Sequence, residues 1–453
     1  MAKLKSANDL LRYILFNVFT LVSCWGWTQG TQRPASFSKV SVDTLSMTLL
    51  EAESIMVKNN LELIARRYDI ETARAQVLQA KLWDNPSFYV ETNPYNHISG
   101  RSFSYAHQGE GTLTPNGLVP SSNEVIASID QIIKTAGKRS KLVGLTKIGS
   151  EIAEDVFADL VRSLKFTLRN DYSQMVQFQK SIDLLDEESA SIQTLVKITN
   201  EQLLKGNFAE KDLLLLQALE FSLQMQRKDF VKQMATVEAE FKTLVGVRNT
   251  AFVKPVADST LLQRVTPNSI DTLVNVALEN RPDLKVFEAQ FRASDQNLRL
   301  QKSLAVPDLD VTLNYTRYSN YITDYVGLGL RLPLPLLNRN QGNIKSAKSS
   351  IQSNSADFEN QKTKTVNDVI SAYLQLQVTK NAFQNFDRPF VGRFDVYFQK
   401  LILNFRRRVI GLIEFVQFFD TYRDTKLASF NLEQDFWQAQ EQLNFSLGMD
   451  VIK

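Results

Sequence analysis

One cysteine and two histidines are all that this 453-residue chain offers to thiol or imidazole chemistry. Cys24 closes a mostly apolar run that begins at Leu10, behind a basic start made by Lys3 and Lys5. Arg12 and Asn17 interrupt the run, which is too short and too polar to span a bilayer as a helix. It fits the apolar core of an export signal over residues 1–23. Leu21-Val22-Ser23-Cys24 is similar to a bacterial lipobox, where cleavage frees the cysteine amine and the thiol carries a lipid such as palmitate. The alternative is ordinary cleavage near Gly30, with Cys24 discarded. His97 and His107 stand in a Gly-, Ser-, Asn- and Pro-rich stretch over 93–123, where two lone histidines read more simply as solvated than as a metal pair. Neither falls in a catalytic constellation and no phosphate loop is present. The expectation is no enzyme, no metal site and no cofactor. A net charge of +3, from 52 basic against 49 acidic residues, gives no field that argues for nucleic acid.

The remaining residues that could do work stand at two breaks between long helical patterns. Gly206-Asn207-Phe208 is followed by Asp212, and Arg406-Arg407-Arg408-Val409-Ile410-Gly411-Leu412 is followed by Glu414. Each acid sits at the start of a return helix. There it balances the helix dipole, or it pairs with Arg406, Arg407 or Arg408 to hold a closed arrangement.

Long helices must position these breaks. Leu164, Leu168, Asp171, Met175, Phe178, Ile182, Leu185, Ser189, Ile192, Val196, Thr199 and Leu203 alternate spacings of four and three, and nine of the twelve are apolar. That is a coiled-coil seam, and it predicts a helix over 137–205, roughly 100 Å long. A second seam, from Leu213 to Leu244, predicts the antiparallel return. The second half repeats the scheme over 344–447, where Pro389 should kink or break the first long helix.

The rest of each half reads as strands. Leu309, Val311, Leu313 and Tyr315 alternate with polar residues, as do Val326, Leu328, Leu330 and Leu332 with Gly327, Gly329 and Arg331. Residues 87–91 and 125–133 are the equivalents in the first half. One apolar and one polar face, at such lengths, is the signature of a membrane barrel with a wet lumen.

The chain also reads twice. Residues 63–86 lie over 284–307 without a gap, and further along Tyr172 matches Tyr373 and Asp212 matches Glu414. The expected organisation is a signal over 1–23, an N-terminal segment over 24–45 and two halves over 46–254 and 255–453. Two strands per half make four per chain, too few to close a barrel, and an open edge in lipid is not tolerated. Several chains must then share one barrel.

This order of elements resembles the TolC-like outer-membrane efflux proteins over nearly all of 45–449. The residues that carry it are Asn280-Arg281-Pro282-Asp283-Leu284, Pro307, Leu334-Pro335-Leu336-Leu337-Asn338-Arg339-Asn340-Gln341-Gly342 and the two breaks. The proline-asparagine-arginine block is most similar to the branch paired with heavy-metal exporters. The resemblance implies a mostly α fold with a small transmembrane β part, in the outer membrane of a Gram-negative bacterium. It implies a homotrimer whose twelve strands form one barrel, continued by a long α-helical periplasmic barrel. It further implies a passive conduit docked through its hairpin tips to a periplasmic adaptor and an inner-membrane pump, of the proton-driven RND type for the heavy-metal branch. Gly206, Asn207 and Phe208, with Val409, Ile410, Gly411 and Leu412, are the docking turns by position. The second tip departs from the family in having Arg408 where the first has Gly206, which leaves its turn geometry open. Drug efflux and type I protein secretion use the same architecture. A periplasmic adaptor fits less well, because two hairpins recur at equal period. A structural coiled-coil lipoprotein or other secreted coiled-coil protein fits less well because of the amphipathic strands and, for the latter, the lipobox-like Leu21-Val22-Ser23-Cys24.

Overall fold

The computed structural model describes residues 44–92, 95–96, 101–102, 111–114, 117–120, 125–248, 251–256, 269–317, 324–386 and 388–451. Cys24, the export signal, His97 and His107 lie outside them. The unit considered below is Thr44–Arg248 with Phe252–Lys453.

In chain order the elements are β1 (Thr44–Met47), α1 (Leu49–Asn59), α2 (Leu61–Lys81) and β2 (Ser87–Thr92). Then come β3 (Tyr95–Asn96), β4 (Arg101–Ser102), β5 (Gly111–Thr114), β6 (Gly117–Pro120), β7 (Val125–Ile133), α3 (Lys138–Leu204) and α4 (Glu210–Val245). The order resumes with β8 (Phe252–Pro255), α5 (Ile270–Asn280), α6 (Pro282–Leu304), β9 (Leu309–Arg317) and β10 (Asp324–Arg331). It closes with α7 (Gln341–Asn385), α8 (Arg388–Arg406) and α9 (Leu412–Leu447).

The long helix expected over 137–205 is α3, 67 residues without a break. Its partner breaks where Pro389 required it: α7 ends at Asn385 and α8 restarts at Arg388. Three features differ from the sequence expectation. The helix before the strands is two helices in each half, split at Asn60 and at Arg281. Asn60 accepts from the N–H groups of Glu62 and Leu63 and donates to the Leu244 carbonyl at 2.8 Å, so one side chain caps α2 and ties it to α4. Second, β1 and β8 pair in parallel, from Thr44 opposite Phe252 to Met47 opposite Pro255. Third, the stretch read as an irregular loop holds two short antiparallel pairs, β3–β4 and β5–β6.

Four strands form an antiparallel sheet in the order β10-β9-β7-β2. The register places Leu330, Leu328 and Val326 beside Val311, Leu313 and Tyr315, and then beside Gln131, Ile129 and Ala127. Phe88 and Val90 continue this face opposite Ile129 and Ala127. The result is one nearly unbroken apolar face, largely exposed in the single chain. The opposite face carries Ser128, Asp130, Asp310, Thr312 and Asn314, with Thr312 donating to Asp130 at 2.6 Å. Among the described residues both edges, β2 and β10, have a free side. No helix among the described residues is long and apolar enough to cross a membrane.

Midway along the long helices, Met47, Ala52 and Met56 pack on Leu168, Tyr172, Met175, Phe241 and Val253. There Gly246, at φ +74°, lies so close to Asn59 that a Cβ would stand 2.8 Å from its carbonyl oxygen. Gly448, at φ +77°, approaches Arg281 in the same way, at 2.9 Å from its Cα. Glycine at both positions lets a helix end turn left-handed against the helix break beside it.

Candidate functional site at the hairpin tips

The residues singled out by sequence lie in two turns. In the first, Gly206 adopts φ +72°. Its N–H donates to the Leu203 carbonyl at 2.9 Å, and that of Asn207 to the Gln202 carbonyl at 2.9 Å. This pair of bonds is the Schellman ending of a helix. Asn207 reinforces it, its amide donating to Gln202 Oε1 at 2.7 Å.

The second turn has the same geometry. Arg408 adopts φ +59°, its N–H donates to the Phe405 carbonyl at 2.9 Å, and that of Val409 to the Asn404 carbonyl at 2.9 Å. Each atom pair stands 202 residues after its counterpart. The next positions also correspond. Ala209 and Gly411 are extended N-caps of the return helices, at φ −88° and −78°. Gly411 therefore has no need of glycine's freedom, and the left-handed position falls on arginine. For an L-residue that costs about 1 kcal/mol.

Two contacts tie this turn to the first one. The Arg408 guanidinium lies over the Phe208 ring, 4.8 Å from its centroid. Phe208 in turn packs on Phe405, centroids 6.2 Å apart. So the tips meet within one chain through Phe208, Phe405 and Arg408. Leu412 is buried, Ile410 packs on the same cluster, and Val409 points outward, 68% exposed. Arg406, Arg407 and Gly411 are also exposed.

Asp212 and Glu414 stand in the first turns of α4 and α9. Within the chain neither forms an ion pair with Arg406, Arg407 or Arg408. Their positions match the dipole-balancing role: each adds negative charge where a helix start is positive.

Sequence reasoning did not find the aromatic core behind the tips. Phe398 stacks on Tyr422 at 4.3 Å, Phe405 on Phe415 at 4.8 Å, and Phe398 meets Phe419 at 5.5 Å. The signal was the four-residue spacing of Phe390, Phe394 and Phe398, in a chain with 28 phenylalanines. The Tyr422 hydroxyl donates to Asp395 at 2.8 Å, and burial together with that bond pushes the phenol up.

A buried acid next to the predicted seam was missed as well. Glu188 on α3 is fully buried, and neither carboxylate oxygen has a hydrogen-bond partner. Burial pushes its pKa up to about 8, with Arg423 pulling it down and Glu187, Asp420 and Asp424 pushing it further up. Arg423 is itself paired with Asp420 and Asp424, at 3.0 Å each.

Comparison with known proteins gives these features a context. Residues 273–388 match the family described as outer membrane efflux protein. The cobalt-zinc-cadmium resistance protein CzcC of Cupriavidus metallidurans is 18% identical over 338 residues, covering 75% of each chain. The proteases secretion protein PrtF of Dickeya chrysanthemi is 22% identical over 344 residues, covering 71% of each. Among solved structures, that of CusC, described in terms of folding and transmembrane channel formation, superposes with a TM-score of 0.70 at 15% identity. It covers 92% of this chain and 98% of its own. The mostly helical fold is thus that of the TolC-like channel structures, and the resemblance drawn from the sequence holds.

Proposed function

We propose that this relative of the outer-membrane efflux proteins is the passive outer-membrane conduit of a tripartite efflux system, of the heavy-metal type. Three copies pool four strands each into a twelve-stranded barrel, and their long helices continue it as a tunnel through the periplasm. The two halves of each chain derive from one duplicated unit. Cys24 anchors the mature chain through a lipid. The observation that carries this reading is the open four-stranded sheet, with an exposed apolar face, a polar face and, among the described residues, two free edges. In water such a face would be covered; in lipid it is at home, provided copies close the edges.

The tips are where a periplasmic adaptor docks, linking the conduit to a proton-driven inner-membrane pump of the RND type. Opening requires that the tips separate, and the adaptor drives this by binding the splayed arrangement better than the closed one. Asp212 and Glu414 either balance the starts of the return helices or hold the closed state by pairing with tip arginines such as Arg406, Arg407 and Arg408 of neighbouring copies. The likeness to CzcC and the block around Asn338, Arg339 and Asn340 support metal cations as cargo. A second reading, export of secreted polypeptides, has the likeness to PrtF in its favour.

Deleting the gene and measuring tolerance to cobalt, zinc, cadmium and copper separates the two readings. Lost metal tolerance is expected; unchanged tolerance with lost protease export would install the second. Gly206→Arg should also weaken adaptor crosslinking at the first tip, and full crosslinking would remove the docking assignment. Outer-membrane fractions should hold a heat-sensitive trimer on semi-native gels; a monomer in the inner-membrane fraction would contradict the conduit.

A further inference from the structure

All four strands of the sheet meet the helices at the same end. The pairing of Arg331 with Asp310, of Ile133 with Leu309 and of Ser87 with Asp130 places these four junctions side by side. Two kinds of residue gather there. The first is apolar and exposed: Trp83 before β2, and Leu332, Leu334, Leu336 and Leu337 after β10, with Leu337 at 92%. They stand beyond the last ladder pairs of the sheet, at Arg331 and Ser87.

The second kind is basic. From 131 to 150 and from 332 to 356 the chain contains no Asp or Glu, yet it carries Lys134, Lys138, Arg139, Lys141 and Lys147 in one stretch and Arg339, Lys345 and Lys348 in the other. Two of these are neutralised locally: Lys134 by Asp84 at 2.9 Å and Lys138 by Asp308 at 2.6 Å. Lys147, Arg339, Lys345 and Lys348 are exposed and form no ion pair among the described residues. Arg139 lies over the Trp83 ring at 3.9 Å.

The depths agree with a bilayer boundary. A headgroup layer is roughly 5–7 Å thick on each side of the hydrocarbon. Lys345 and Lys348 lie four and seven residues into α7, about 6 and 10 Å along its axis, and lysine side chains reach back toward an interface. Trp83 with its cation is the kind of ring that settles at headgroup level.

We infer that this end of the sheet is a lipid-seating collar, whose apolar residues rest at the boundary of the hydrocarbon while Arg339, Lys345 and Lys348 bind anionic phospholipid headgroups of the leaflet that faces the helices. The inference rests on the membrane reading above and adds a lipid preference to it. Acid-free stretches directly below an apolar rim are what an anionic surface attracts, and each cation near such a surface favours it. A collar of this kind fixes the depth of the sheet and keeps the helical tunnel upright below it.

The test reconstitutes the full chain in vesicles of phosphatidylcholine alone, or of phosphatidylcholine and phosphatidylglycerol in equal parts. Spin-labelled lipids of both headgroups then report which is held at the protein surface. At low salt the labelled phosphatidylglycerol should be held about fivefold more strongly, the worth of a single well-placed cation. That preference should fall toward unity in the R339Q/K345Q/K348Q variant and in high salt. Equal retention of both labels, or a preference unchanged in the variant, overturns the collar. A chain that enters neither vesicle overturns the membrane reading, and the collar with it. Insertion without preference overturns the collar alone.

Discussion

The two helical hairpins reach the same turn by different sequences. The first runs through an unbroken α3 and turns at a glycine. The second is interrupted before Pro389 and turns at Arg408. Yet both tips show the same pair of helix-ending hydrogen bonds and the same extended N-cap. The difference teaches that glycine is not what makes the turn. Two packed antiparallel helices must end and reverse at one level, and the backbone bonds there are worth more than the strain of one left-handed residue. The second hairpin supplies the compensation visibly, through the aromatic core of α8 and α9 and the Arg408 contact with Phe208.

The comparison can be broken most forcefully at that aromatic core. Phe398→Ala should cost about 3–5 kcal/mol and lower the melting temperature, with α8 losing amide protection before α3 does. Loss of protection in both hairpins together would show that the second does not depend on its own core.

Next in size is the buried acid, where the first hairpin meets Arg423 of the second. In the folded chain Glu188 keeps its proton up to about pH 8; unfolded, it loses it near its ordinary value of 4.5. The folded form therefore binds the proton more tightly. Its stability contribution is complete below about pH 4.5 and is lost as pH rises toward 8. Glu188→Gln should flatten this slope, raising stability by a few kcal/mol (roughly) at pH 8 and leaving it unchanged at pH 4. Parallel stability curves for the two proteins across that range would refute the assignment.

The smallest effects come from exchanging the turn residues themselves. Gly206→Arg should destabilise by about 1 kcal/mol, because nothing in the first tip is placed to offset the strain. Arg408→Gly should change stability by less than about 0.5 kcal/mol: relief of a similar strain is set against the lost cation–π contact and the greater freedom of glycine in the unfolded chain. Denaturant midpoints of the two variants measure the asymmetry directly, and equal shifts of opposite sign would leave the second tip without its compensation.

Much of this was legible in the residues. The seam from Leu164 to Leu203 marked α3 as a long coiled helix, and the proline-free run between Gly137 and Gly206 put its ends to within a residue. Alternation located the two strands of the second half, since a strand must put successive side chains on opposite faces, and the internal repeat carried them over to the first half. The tips followed from Gly206 and from the run Arg406-Arg407-Arg408. What stayed hidden was of another kind. The split at Asn60 leaves no mark in the periodicity, since helical spacing continues through it. It shows only in the side chain's bonds to its own helix and to α4. Likewise β1 and β8 are four residues each and pair across about 200 positions of chain.

The sequence by itself determined the local conformations: which stretches coil, which extend, and which faces are apolar. Those choices depend on the spacing of side chains a few positions apart. Only the tertiary structure decided that Arg408 would take the left-handed position glycine holds in the other tip, that Phe208 would bridge to Phe405, and that Glu188 would lie dry beside an arginine already occupied elsewhere. These are meetings between residues remote in the chain, and their energies arise from close packing and exclusion of water, neither of which exists until the hairpins have come together.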